Sequence, residues 1–302
     1  MKHAPVRHRL EQGAYLALRA VLRAVPHSAA RRLGAALGAT AHAADRRHRR
    51  VVADNLAHAF PGLSAAERRS LSRGCFRHFG AALCDALSAQ RFGPVELCRR
   101  VTLAGWEHLV AADERRQGVL VMGAHLGTWE LIPSLVALYR GPMHVVGRPA
   151  DNPWIDREVV RLRERFGGIA LDKRGSVRPM LKALAEGGRV GLLIDQRVHP
   201  REGIRVPFFG RPAVTSPLLA RLSLRHRAPV VPVLGDLEPG GRYRVTFYPP
   251  IEPTGDDDRD NRIKGDDAVA VLTGRYLAFV ESRIRERPAQ WLWMHERWKG
   301  AA

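Results

Sequence analysis

The chain of 302 residues is 45% hydrophobic and 26% charged, a globular composition long enough to bury one large core or two modest ones. Lys and Arg number 49 against 30 Asp and Glu, a formal charge of +19 that attracts nucleic acid, an anionic membrane or an acidic protein without choosing among them. No run approaches the roughly 18 apolar residues of a spanning helix, the basic residues 1–9 lead into no signal-peptide core, and Cys75, Cys84 and Cys98 form neither a CxxC pair nor part of a zinc-like cluster.

Residues 12–25 set Tyr15, Leu18, Leu22 and Val25 at helical spacing with Arg19 and Arg23 off the stripe, which predicts an amphipathic helix with a cationic edge. Such a helix lies either in the interfacial plane of a bilayer or on the protein core with a solvated basic edge. Pro26 ends it, an Ala-rich helix runs towards Ala44, and the cluster Arg46, Arg47, His48, Arg49, Arg50 follows. Ser64-Ala-Ala-Glu67 is a capping box, because hydroxyl and carboxylate satisfy each other's orphan backbone donors. It opens a helix to about Gln90 with Leu71, Cys75, Phe79 and Leu83 on one face.

Beyond Gly105, short apolar runs alternate with helical periodicity. Strands are predicted at 118–123, 144–147, 190–194, 230–234 and 243–247, and helices at 128–139, 153–166, 177–186, 217–226 and 268–285; Asp256–Asp260 is an acidic loop. This alternation implies an α/β fold with a mostly parallel central sheet covered by helices, preceded by an N-terminal amphipathic helical extension.

The chemistry concentrates in Gly123-Ala-His125-Leu-Gly-Thr-Trp-Glu130. An apolar strand ends at Gly123, small residues let the chain turn, and His125 then stands at the mouth of the sheet, where open α/β folds place their sites. His125 precedes the helix that Thr128 can cap, so the turn can return Glu130 to the imidazole. A neutral imidazole takes the proton of a hydroxyl as attack begins, and a carboxylate fixes its tautomer and stabilises the imidazolium. The helix start could add donors for an oxyanion. On spacing alone, a structural His–Glu pair is the competing reading.

GAHLGTWE resembles the HxxxxD/E block of the glycerolipid acyltransferase superfamily, and in detail that of the bacterial lipid A lauroyl/myristoyl acyltransferases and their relatives acting on phosphatidylinositol mannosides. Further blocks follow in order: NLAHAFPGLSAAER at 55–68, GRPADNP at 147–153, RLRERFGG at 161–168, LLIDQ at 192–196, VPFFGRPAVT at 206–215, VVPV at 230–233 and WLWMHERW at 291–298. Together they cover roughly residues 10–298, and colinear blocks are far more specific than one motif.

The resemblance implies that His125 is the general base and Glu130 its partner, with Arg148 and Arg163 holding phosphate or the oxyanion. Asp195 and Gln196 close a buried strand, either as substrate contacts or as a hydrogen-bonded structural pair. Phe208, Phe209 and Gly210 either line an acyl slot or pack in the core, and Thr215 is either a ligand or an N-cap. Trp291, Trp293 and Trp298, beside Arg297 and Lys299, suit either the lipid headgroup layer or the core. The resemblance further implies an O-acyltransferase with no cofactor beyond its co-substrate, an acyl carrier protein or coenzyme A thioester. The acceptor is a lipid A precursor or related glycolipid; a phosphatidylinositol mannoside, an aminolipid or a lysophospholipid is the alternative. Residues 1–50 are the expected membrane-associating segment and 51–302 the acyltransferase domain, held peripherally on an anionic surface at the cytoplasmic face of the inner membrane. A nucleic-acid-binding protein is suggested by charge only, and no recognition module accompanies it.

Overall fold

Five strands run parallel because a helix between each of them and the next in the chain carries it back across a face of the sheet. The computed structural model describes residues 4–173, 175–253 and 265–300; the expected acidic loop at Asp256–Asp260 lies outside them. Strands β1 (Val101–Ala104), β2 (Val119–Gly123), β3 (Met143–Gly147), β4 (Gly168–Asp172), β5 (Arg189–Leu193), β8 (Val230–Glu238) and β9 (Arg242–Phe247) form one seven-stranded sheet in the order β1-β9-β8-β2-β5-β3-β4. β9 returns antiparallel to β8 and β1 follows β9. β6 (Ile204–Phe208) and β7 (Arg211–Thr215) make a separate hairpin.

Alternate side chains of β2 serve two cores. Val119 and Val121 pack with Leu109 of α6 (Trp106–Glu114) and with Leu135 and Val136 of α7 (Ile132–Arg140). Leu120 and Met122 face the larger core. There they join Met180 of α9 (Val177–Ala185), Leu219 of α10 (Leu218–His226) and Tyr276 of α11 (Asp266–Glu286), together with Phe208 and the C-terminal tryptophans.

Four helices precede the sheet: α1 (Ala4–Ala24), α2 (His27–Ala44), α3 (Arg46–Ala59) and α4 (Ala65–Ala89); the short α5 (Pro94–Arg100) follows. The Ser64–Glu67 capping box is formed at both bonds, 2.7 Å and 3.3 Å. α2 crosses α4 backbone to backbone, since a Cβ on Gly34 or Gly80 would overlap the main chain of the other helix. The expected face of α4 drifts: residues four apart advance by roughly 40° around a helix. Cys75 is therefore buried, whereas Leu83, two such steps on, is exposed.

α1 is apolar on two sides. Leu22 is fully buried, and Tyr15, Leu18 and Val25 pack with it against Ala30, Cys84 and Leu87, so this stripe belongs to the core rather than to a free interfacial face. Val6, Leu10 and Val21, 60%, 70% and 48% exposed, form a second stripe with Ala14, Ala17 and Ala24 on the outside. Among the described residues no helix is long and apolar enough to cross a membrane.

A buried polar cluster ties the helices to the sheet. His27 meets Ser88 at 3.1 Å, Tyr243 at 3.1 Å and Asp85 at 3.0 Å, and the Tyr243 hydroxyl donates to Asp85 at 2.8 Å. Its Ser, His and Asp copy the composition of a nucleophilic triad, but all three are sealed in the interior, where no substrate reaches them. Desolvation pushes the Tyr243 phenol up, with the Asp85 charge adding to it, so it stays a donor.

Candidate active site

β2 and β5 are neighbours in register, with Gly123 opposite Leu193. Two residues beyond each strand end stand His125 and Asp195, so the sheet itself delivers them to each other. His125 Nδ1 lies 2.9 Å from Asp195 Oδ1, and the His125 backbone N–H donates to Oδ2 at 2.9 Å. Trp291 Nε1 donates to the same Oδ2 at 2.7 Å. Asp195 is wholly buried, yet three donors converge on its carboxylate.

Burial would raise the Asp195 pKa. The His125 charge and the hydrogen bonds from His125 and Trp291 outweigh it and hold the carboxyl down at about 2. Burial would likewise lower His125, but the Asp195 charge and hydrogen bond, with Glu130 adding and Arg163 opposing, leave it above its ordinary value. With Nδ1 on Asp195, Nε2 is the nitrogen available to exchange a proton.

The turn is clamped from behind by the C-terminal segment. The Leu292 N–H donates to the His125 carbonyl at 3.1 Å, and the Gly127 N–H to the Gln290 carbonyl at 3.2 Å. Gly127 has φ +64°, and a Cβ there would overlap the Gly235 carbonyl, so glycine is required. His295 Nε2 accepts from the Arg197 N–H at 2.9 Å, and burial holds this imidazole down at about 4, a neutral neighbour of the pair.

Glu130 does not return to the imidazole as the sequence suggested. Residues Trp129–Leu131 form a 3-10 turn before α7, and the carboxylate is taken by Arg163, with Nη2 to Oε1 at 2.8 Å and Nε to Oε2 at 3.2 Å. The planar guanidinium fits this two-point contact, whereas His125 already has its carboxylate. Arg163 reaches Glu130 from α8 (Pro153–Glu164) across Gly147, where any Cβ would overlap its Nη1. The helix start expected to donate to an oxyanion carries Pro133, and Thr128 makes no side-chain cap.

Beside this ion pair opens a narrow, largely apolar cavity. Trp129, Glu130 and Arg163 line it together with Val121, Ile132, Met143, Val145, Gly191 and Leu193. The Trp129 ring, which lines it, lies 5.3 Å from the His125 ring. The slot exists because Gly123 and Gly191 present no side chain, and only the flexible end of Met143 fills the space at Gly191.

The other expected site residues are dispersed. Arg148 is exposed, paired with Asp151 at 3.2 Å, just beyond the end of β3. Gln196 is half-buried beside Asp195. Phe208 and Phe209 are caged by Trp291, Trp293 and Trp298 in the larger core, and Gly210 is the exposed turn after them; none of the three lines the cavity. Thr215 is a buried hydroxyl that accepts from Arg297 at 2.6 Å. The tryptophan tail is core rather than headgroup layer: Trp298 donates to the Phe208 carbonyl at 3.3 Å, and Arg297 is fully buried.

Residues 3–300 match the model of the family described as bacterial lipid A biosynthesis acyltransferase. The lipid A biosynthesis lauroyltransferase of Escherichia coli (strain K12) is 30% identical over 282 residues, covering 91% of this chain and 87% of its own. The palmitoleoyltransferase of the same strain is 28% identical over 271 residues, covering 88% and 84%, and its myristoyltransferase 26% over 262 residues, covering 86% and 78%. The chain belongs to this family.

It is therefore an acyltransferase of lipid A biosynthesis, an enzyme whose substrates are an acyl donor and a lipid acceptor. In this acyltransferase four of the expected site residues form two charge pairs, His125–Asp195 and Glu130–Arg163. The role of Trp291 was not read from the sequence. An indole N–H near a buried carboxylate was the only signal for it, and nothing local tied residue 291 to residue 195.

Proposed function

We propose that the enzyme transfers a fatty acyl group from an acyl carrier protein or coenzyme A thioester to a hydroxyl of a lipid A precursor or related glycolipid. His125 Nε2 takes the proton of the acceptor hydroxyl as its oxygen attacks the thioester carbon. Asp195 holds the tautomer and stabilises the imidazolium. Arg163, fixed by Glu130, faces the oxygen on which charge develops, where a preorganised cation is most effective. Collapse breaks the C–S bond, and the imidazolium returns its proton to the leaving thiolate. The acyl chain lies in the cavity that ends at Met143. Arg148, exposed beyond β3, is available to an acceptor phosphate.

The same reading places the protein peripherally at the cytoplasmic face of the inner membrane, with residues 1–50 as the associating segment. It assigns the contact to the outer stripe of α1, Val6, Leu10 and Val21, flanked by Arg7 and Arg9. α3 runs through residue 50, so the division marks a role rather than a break in the chain.

The observation that carries the reading is the hydrogen-bonded His125–Asp195 pair beside an apolar cavity whose mouth holds a fixed cation. It is tested with purified His125→Ala, incubated with acyl thioester and a lipid A precursor, following thiol release and the mass of the lipid. The expected result is a loss of about 10²–10⁴-fold or more in rate in a variant that still folds. Turnover near wild type in the folded variant would refute the mechanism.

A further inference from the structure

α8, which carries Arg163, has no fully buried residue of its own. Its inner side rests on the sheet, where the Arg163 carbonyl closes on Gly168 of β4. Its outer side is held by α1 through three contacts of different kinds. Asn152 caps α8 through its side-chain oxygen, accepting from the Trp154 N–H at 3.0 Å, and its amide donates to the His8 carbonyl and to Glu11 Oε2, both at 3.0 Å. The Tyr15 ring meets Trp154 edge to face, 5.2 Å between centroids. Arg19 Nη1 pairs with Glu158 Oε2 at 3.0 Å, where the carboxylate side chain is 11% exposed.

The helix geometry separates these contacts from the reacting end. Trp154 and Glu158 are four apart and share a face, whereas Arg163 lies five beyond Glu158, roughly 140° around the helix. α1 therefore presses on one side of α8 while Arg163 leaves the other to grip Glu130. α1 is itself fixed from beneath by Leu22 and Val25 against α2 and α4, so it transmits a position rather than merely covering a surface. Arg163 passes over Gly147 and grips Glu130 at two points, so a shifted helix disturbs that contact.

We propose that Tyr15 and Arg19 of α1, with Trp154 and Glu158 of α8, are positioning residues for the acyl transfer: α1 is a brace that keeps α8, and through it Arg163, in register with Glu130. This rests on the reading of Arg163 as the cation at the reacting oxygen. None of the four touches substrate, and none lines the cavity.

A charge exchange tests it in detergent micelles, so that attachment to a bilayer does not limit the rate. Arg19→Glu and Glu158→Arg are each expected to lower kcat roughly ten- to hundredfold, the scale of a small misplacement in a site, with the KM for the acyl thioester within about twofold. The double variant R19E/E158R should recover to within about threefold of wild type, since paired residues are non-additive. Tyr15→Phe should keep the rate that Tyr15→Ala loses, because the ring and not the hydroxyl meets Trp154. A merely structural ion pair would move the melting temperature without the kcat split or the rescue. If a charge reversal lowers the melting temperature, Arg19→Gln, which removes the charge without repulsion, reads the same kcat. Wild-type kcat in R19E, or a double variant no faster than the singles, overturns the brace. Arg163→Gln is measured alongside: if it keeps wild-type kcat the underlying reading fails, and if it is inactive while R19E is not, the brace alone fails.

Discussion

Asp195→Asn replaces one atom in a site where three donors converge on two oxygens. Oδ2 accepts from the His125 backbone N–H and from Trp291 Nε1, and Oδ1 from His125 Nδ1. An asparagine has one acceptor oxygen and one NH2. With its NH2 at Oδ2 it would face two N–H groups, so the favoured orientation keeps the carbonyl there and turns the NH2 towards Nδ1. The imidazole then relieves the clash by moving its proton to Nε2, which removes the lone pair that receives the hydroxyl proton. A triad whose aspartate becomes asparagine loses about 10⁴-fold through this wrong tautomer, or roughly 5 kcal/mol of barrier. The expectation here is about 10³–10⁴-fold in the single-turnover rate, because the cavity and Arg163 remain. The variant should also lose the upward pull on His125. Burial then dominates and the imidazole falls below its ordinary value. Transfer is followed at matched enzyme and thioester concentrations from pH 5 to 9, with the melting temperature measured in parallel. A folded Asp195→Asn enzyme within tenfold of wild type would refute the assignment of the general base and its partner.

In the wild type, His125 must be neutral to accept a proton and is raised above 6.5, so kcat/KM should climb through an acid limb above that value; a limb below it would contradict the pairing. The same shift makes the pair's contribution to stability complete below pH 6.5 and lost as pH rises through the folded-state value, which melting curves against pH will register. Gly147→Ala should displace Arg163 and lower kcat by about tenfold or more without moving the acid limb as Asp195→Asn does. Gly191→Val should fill the bottom of the cavity and shorten the acyl chain transferred, and Met143→Ala should lengthen it, both read by mass spectrometry of the product lipid. Attachment should be peripheral: high salt releases part of the protein from membranes, salt after deletion of residues 1–26 releases most, and alkaline carbonate releases the intact chain, whereas full retention in carbonate would overturn this.

The α/β alternation was legible because parallel strands covered on both faces must be apolar almost throughout. VLVMG of β2 is fully buried and reads as a run. Within the seven-stranded sheet, the two strands left unread are the edge strands. β1 is half-buried along its length, and β4, at the opposite edge, exposes Ile169. α3 was hidden behind its own arginines, although Asp45 accepts from the His48 N–H at its start and Val52, Leu56 and Ala59 form its buried side. The tail was ambiguous for a physical reason. An indole with a cation beside it suits a headgroup layer and a core with one buried polar contact equally well, and only the hydrogen bonds of Trp291 and Trp298 to the interior separate the two.

The site divides along the same line. His125 was recoverable because its position depends on the strand immediately before it. Its carboxylate was not, because Asp195 reaches it only through the choice of β5 as the neighbour of β2, a decision made by the whole sheet. Glu130, five residues away, was the obvious local candidate, but a 3-10 turn aims it at an arginine 33 positions on. What the sequence did contain was the demand. An aspartate closing the apolar run VGLLI must find N–H donors once buried, or it would not be tolerated there. His125 supplies two of those donors and Trp291 the third. The need for partners was thus written at residue 195, while their identity was written only in the strand order.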